Sequence, residues 1–143
     1  IDIRVIGDGN YKNEELGIKG IAWKKEDELK ELSAFDIGIM PIPDDDWSKG
    51  KCGLKGLQYM ALEIATVMSP VGVNSAIIRN GENGFLASTT EQWVKCIGQL
   101  IEDASLRKQL GSNARKTVIE NYSVESQKDV YLSEFRKLIQ SKK

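Results

Sequence analysis

The run Gly50-Lys51-Cys52-Gly53-Leu54-Lys55-Gly56-Leu57-Gln58 holds the densest chemistry in this chain, and Ser69-Pro70-Val71-Gly72 follows it closely. The first run reads as a glycine-bearing turn that opens a helix. The second reads as a turn leaving a short buried strand. The first amides of a helix have no intrahelical acceptor and sit at the positive end of its dipole, so they suit a phosphate. With Lys51 and Lys55 close by, the pattern points to a phosphorylated small molecule.

On one continuous helix from Lys51 to about Ile64, Lys51, Lys55 and Gln58 would fall within about 60° of one another. Leu54, Leu57, Ala61 and Ile64 would then face a sheet. Cations at a helix start oppose its dipole, a cost that an anionic ligand removes. A solvated face accounts for the same lysines. Gly50, Gly53 and Gly56 could admit a pyrophosphate, but their spacing is neither a Rossmann nor a Walker pattern, and close helix–sheet packing would also call for glycine.

Other candidates carry less. Asp44-Asp45-Asp46 invites a metal, yet consecutive loop carboxylates point in different directions, and a solvated loop is the preferred reading. Trp23 and Trp47 fall in predicted loops or strand ends, where an indole can stack on a base or sugar, or plug the core edge. Trp93 belongs to a core stripe. Cys52 reads as a packing residue rather than a nucleophile.

These residues need elements to hold them. Ile1, Ile3 and Val5 alternate into the turn Gly7-Asp8-Gly9-Asn10, and Ile18 to Trp23 suggests a second strand. A helix is expected from Glu26 to Phe35, and a buried strand from Asp36 to Pro41. Pro43 to Gly50 reads as a loop, Ala65 to Met68 as another buried strand, and Val73 to Arg79 as a short helix. Asn83-Gly84 marks a turn.

Beyond Thr90 the pattern is helical, with stripes Trp93-Val94-Ile97-Ile101, Leu106-Leu110-Ala114-Val118 and Val130-Phe135-Leu138. Helix starts are expected at Asp103 and Ser123. Strands alternating with helices define an α/β fold with a parallel sheet, whose ligands bind beyond the carboxyl ends of the strands.

Composition removes several functions. The 143 residues carry 20 Lys+Arg against 21 Asp+Glu, so no net field favours nucleic acid. There is no histidine, which excludes His-based acid–base chemistry and His-ligated metals. Two cysteines are too few for a disulfide framework and fit a reducing cytoplasm. No apolar run reaches the roughly 18 residues of a membrane span. The chain opens without Met on strand-like sequence, as an excised piece would.

Phe35-Asp36-Ile37-Gly38-Ile39-Met40-Pro41, Leu57-Gln58-Tyr59-Met60-Ala61, Val67-Met68-Ser69-Pro70-Val71-Gly72 and Asn80-Gly81-Glu82-Asn83-Gly84-Phe85-Leu86, in that order, resemble the C-terminal domain of group 1 glycosyltransferases. Leu106 to Gly111 and Asn121-Tyr122-Ser123 echo its helical end. The resemblance implies residues 1–143 as one truncated, Rossmann-like domain of a GT-B enzyme. It further implies binding of a nucleoside diphosphate sugar, transfer of that sugar to an acceptor hydroxyl with retention by the full-length enzyme, and no metal or other cofactor. The acceptor domain of the same full-length protein would be its partner, and peripheral membrane association of that protein is compatible with the family.

The resemblance also implies site residues. The family's paired glutamates fall on Gly50 and Gln58, so neither carboxylate is kept; Gln58 retains hydrogen-bonding capacity toward ribose hydroxyls. Lys51 and Lys55, with the amides of Cys52, Gly53 and Leu54, would cradle the diphosphate. Trp23 and Lys24 match the region that borders the base, and Gly7 and Asp8 lie at a neighbouring strand end. Ala76 stands where many relatives carry Glu.

The family's first strand and helix are missing, so the fragment alone is expected to be inactive, and the exposed edge at Ile1 to Ile6 invites a homodimer. A degenerate nucleotide-binding module and a sugar-nucleotide epimerase half are the alternatives, with a receiver-type domain behind them.

Overall fold

The computed structural model describes residues 1–140 and divides them into two compact units, Ile1–Ala34 and the chain from Phe35 onward. In the first unit β3 (Ile18–Ala22) is central. It pairs in parallel with β1 (Val5–Gly7) and antiparallel with β2 (Lys12–Asn13). The register Gly7↔Ala22 brings the carboxyl ends of β1 and β3 side by side. The unit closes with α1 (Glu28–Leu32).

Two expectations shrink here. Ile1 to Arg4 lie outside the strand, with Ile1 almost fully exposed and Arg4 paired to Asp2 at 2.9 Å. The expected helix from Glu26 to Phe35 is cut to one turn and a half. The Ser33 hydroxyl donates to the Leu29 carbonyl at 2.7 Å at its end, and the chain must extend again by Ile37.

The second unit is built on β5 (Ala65–Met68), buried along its whole length between two parallel neighbours, β4 (Ile37–Met40) and β6 (Phe85–Leu86). A strand covered on both faces is expected to be apolar throughout, and this one is but for Thr66, whose buried hydroxyl donates to the Ile64 carbonyl at 2.9 Å. Its alternating side chains feed two cores. Ala65 and Val67 join Ala87, Cys96, Leu100 and Leu110, whereas Met68 joins Met60, Ile77, Ile78 and Ala114.

Six helices among the described residues complete this unit. They are α2 (Asp46–Lys49), α3 (Leu54–Ala61), α4 (Asn74–Ile77), α5 (Thr90–Glu102), α6 (Ala104–Asn121) and α7 (Val124–Gln140). Helix α2 occupies what the sequence suggests is plain loop. Helix α5 opens on a reciprocal capping box between Thr89 and Gln92. Helix α6 begins at its expected cap, the Asp103 carboxylate accepting from the Leu106 amide at 2.9 Å.

The faces of the late helices differ from the expected stripes. On α5, Cys96 and Leu100 are buried, with Trp93 and Ile97 partly so, whereas Val94 and Ile101 face outward. On α7 the expected core residues Val130, Phe135 and Leu138 are all exposed, and none of its described side chains is buried. Periodicity marks an apolar face but does not supply the element that covers it.

Asn83 does more than turn the chain. It is fully buried; its Oδ1 accepts from the Arg79 amide at 2.7 Å, and its Nδ2 donates to the Ile77 carbonyl and to Thr117 Oγ1 on α6. Asn83→Ala would leave the Arg79 amide and the Ile77 carbonyl without this buried partner. The expected loss is about 2 kcal/mol of stability, measured as a lower urea midpoint. An unchanged midpoint would show that the clamp contributes nothing.

Candidate functional site

Strands β4 and β5 end in register, Met40 opposite Met68, and everything that can do chemistry in the second unit grows from those ends. Ser69 ties the two exits together. Its amide donates to the Met40 carbonyl at 3.2 Å, and its hydroxyl accepts from the Ile42 amide at 3.0 Å. The buried Asn74 side chain donates to the Ser69 carbonyl, which fixes the turn from Ser69 into α4.

Two other segments rest on that turn. At Gly72 an added Cβ would sit 2.7 Å from the Lys49 carbonyl, so the end of α2 packs there without room for a side chain. Gly53 packs against Val73, Asn74 and Ile77. The end of α2 and the start of α3 are therefore braced on one turn. Helix α2 itself is capped by Asp45, whose carboxylate accepts from the Ser48 amide at 2.7 Å. That bond, chiefly, holds the Asp45 carboxyl below the usual carboxylate range, so the cap is intact at neutral pH.

Gly53 is the N-cap of α3, with φ +71° and no side-chain cap on the helix. That left-handed backbone is strained for residues with a Cβ and free for glycine. It also stops the helix from extending back. The expectation of one helix from Lys51 to Ile64 is thus corrected: α3 runs from Leu54 to Ala61, and Lys51 and Cys52 lie in the approach to it. Gly50 is the C-cap of α2.

The expected faces shift accordingly. Gly56 and Met60 turn to the core, Leu57 packs beside them, and Leu54 is more than half exposed. Lys55 and Gln58 still share an edge, about 60° apart, while Lys51 comes from the loop. Lys51, Cys52, Leu54 and Lys55 are exposed around a helix start that has no acidic residue in its first turn. First-turn amides, a dipole end and two nearby cations have the chemistry to receive a small anion.

Gln58 is half-buried, and its Oε1 is fully buried without a hydrogen-bond partner among the described residues. A buried acceptor in that state costs free energy unless a donor reaches it. Spacing alone could not show this. Trp47, which the sequence left open between stacking and plugging, is 81% exposed on α2 and plugs nothing.

The remaining expected site residues belong to the first unit. Gly7 ends β1, and Asp8 Oδ1 accepts from the Asn10 amide at 2.9 Å. Trp23 is half exposed, its indole N–H donating to Glu28 Oε1 at 3.0 Å. The Lys24 carbonyl accepts from the Asp27 and Glu28 amides at the start of α1. A cleft of about 220 Å³ lies there, lined by Ile6, Ile21, Ala22, Lys24, Asp27, Glu28 and Glu31. Among the described residues no cluster of carboxylates or thiols is placed to hold a metal ion, and no helix is long and apolar enough to cross a membrane.

A parallel sheet whose second unit presents a glycine-led helix start beyond its strand ends is the Rossmann-like architecture of GT-B C-terminal domains. The C-terminal domain of the group 1 glycosyl transferase LpcC from Francisella tularensis shares it. The TM-score is 0.64 at 25% identity, over 76% of this chain and 55% of that one. HepE from Anabaena, solved in complex with UDP, superposes with a TM-score of 0.63 at 18% identity, over 84% of this chain and 33% of HepE.

The chain belongs to the glycosyl transferases group 1 family, whose model matches residues 4–117. It is 33% identical over 114 residues to glycosyltransferase 1 domain-containing protein 1 of Xenopus tropicalis, covering 80% of this chain. The chain spans about a third of that relative's length (33%).

Proposed function

We propose that this chain is the donor-binding domain of a retaining glycosyltransferase, which moves a hexose from a nucleoside diphosphate sugar to an acceptor hydroxyl. The observation that carries it is the uncapped start of α3 at Gly53, flanked by exposed Lys51 and Lys55 inside the matched family region. The UDP held by HepE supports a nucleotide as the anion.

In this reading the diphosphate lies on the amides of Cys52, Gly53 and Leu54, with Lys51 and Lys55 at its oxygens. As the glycosidic bond breaks, negative charge grows on the leaving diphosphate. Fixed donors and cations then bind it more tightly than the ground state, an effect worth a few kcal/mol per donor in enzymes generally. Gln58, on the same edge of α3 as Lys55, offers its amide to a ribose hydroxyl once the side chain turns out of its half-buried position. The acceptor and its domain come from the rest of the full-length protein.

The test is turnover by the full-length protein with UDP-, GDP- and ADP-hexoses, with the product anomer read by NMR. One nucleotide series should be used, and the anomeric configuration of the donor should be retained. An inverted product would overturn the mechanism. The absence of carboxylates at Gly50 and Gln58 favours a second reading, a module that binds donor without transfer. Tight binding with no turnover would establish it.

A further inference from the structure

Helix α7 leaves the body of the second unit after its first turn. Gln127, whose Nε2 donates to the Asn121 carbonyl at 2.7 Å, is the last of its described side chains tied back to α6. From Lys128 to Gln140 every residue is exposed. A helical segment of that length is marginal in water by itself, and helices in proteins owe most of their stability to a covered apolar face.

The helix has such a face. At 100° per residue, Val124, Tyr131, Leu132, Phe135, Leu138 and Ile139 fall within about 120° of one another. They are between 47% and 85% exposed. Tyr131, Phe135 and Leu138 keep the four-then-three spacing of a seam between two helices, with Val124 one heptad before Tyr131. A contiguous apolar surface of this kind marks an interaction site.

The charges of α7 select what covers it. Glu125, Asp129 and Glu134 balance Lys128, Arg136 and Lys137, so no net charge holds the helix on an anionic lipid surface or a nucleic acid. Lys128 pairs with Glu125, and Lys137 with Glu134. Asp129 and Arg136 have no ion-pair partner among the described residues. They lie on one flank of the stripe, beside Leu132 and Ile139 and about 20° from each other. An acid and a base so placed complement themselves about their midpoint. A second copy running antiparallel, across a twofold axis near Leu132, sets each Asp129 against the other copy's Arg136. The same arrangement lays Tyr131 of each copy toward Phe135 of the other.

We propose that the α7 stripe is an interface with a second copy of this chain, an antiparallel helix pair in which Asp129 and Arg136 form two reciprocal ion pairs. A stripe about 25 Å long makes an interface at the small end of specific contacts, so the association is expected in the micromolar range.

Sedimentation velocity of the chain over a range of concentrations tests this. A monomer–dimer equilibrium is expected, and Phe135→Asp should weaken it by about tenfold or more. Phe135 is exposed in the single chain, so its replacement leaves both cores intact. Asp129→Arg and Arg136→Asp should each weaken the dimer severalfold, since like charges then face each other twice. Mixing these two single variants pairs opposite charges again at both positions and should recover the affinity, a rescue that a folding defect would not give.

A chain that stays monomeric at every concentration overturns the proposal and leaves the stripe to another part of the full-length protein. A dimer that survives Phe135→Asp overturns it in favour of a different face. Failure of the mixed variants to re-associate overturns the antiparallel pairing. Binding to phosphatidylserine vesicles without self-association would overturn it in favour of a lipid surface.

Discussion

Gly111→Ala should be among the most damaging single methyl groups that can be added to this chain, costing about 3 kcal/mol of stability. On α6 an added Cβ at this position would stand 1.9 Å from the Glu63 carbonyl oxygen and 2.7 Å from its carbonyl carbon. Those atoms are backbone, so no rotamer change relieves the clash. Nor can the backbone at Glu63 retreat easily. It already holds φ +61°, and Arg115 anchors the same turn by donating to the Ala61 carbonyl at 2.6 Å. Moving α6 outward would lift the buried Leu110, Ala114 and Thr117 from their contacts.

The sign of this prediction is informative. Helix propensity alone makes alanine better than glycine by about 1 kcal/mol in a helix interior. A lower urea midpoint therefore reports the close approach of α6 to the α3–β5 connection. A raised midpoint would mean that α6 does not pass so near.

The Lys51→Ala/Lys55→Ala double variant should lose at least about tenfold in affinity for a nucleoside diphosphate, with the folded state little changed. Both side chains are exposed, so their removal opens no cavity. Taking cations away from a helix start relieves the dipole slightly, which again separates binding from stability. Because Lys51 lies on the loop and Lys55 on α3, each single variant should show part of the loss. The loss should shrink as salt is raised, since exposed charges are screened. Calorimetry of the chain and its variants measures all of this. Equal affinity in wild type and double variant would remove the lysines from the site.

Much of the frame is legible in the residues themselves. β5 is apolar but for Thr66 because both its faces are covered, so its bounds at Ala65 and Met68 need no tertiary knowledge. Asp103 announces α6 because a carboxylate ahead of Leu106 has one favourable use. The start of α3 is different. Gly50, Gly53 and Gly56 all tolerate a left-handed turn, and only the packing of Gly53 on Ile77 and Asn74 selects one of them. That selection moves Lys51 and Cys52 off the helix.

Helix α2 is invisible for a related reason. Four residues carry no period, and its existence depends on the Asp45 cap and on the support of Lys49 by Gly72. The cation pair, the glycine turn and Gln58 are found by residue type and by family resemblance. The burial of Gln58 Oε1 and the fixed exposure of Trp47 are products of the fold alone.

The central claim is that the diphosphate of a nucleotide sugar rests on the start of α3. Its most direct test is amide chemical-shift mapping of this chain with UDP, GDP and ADP. One nucleotide should saturate, with the largest shifts on Lys51, Cys52, Gly53, Leu54 and Lys55 and with Gln58 following. Saturable shifts centred elsewhere in the chain, with the α3 start undisturbed, would contradict it.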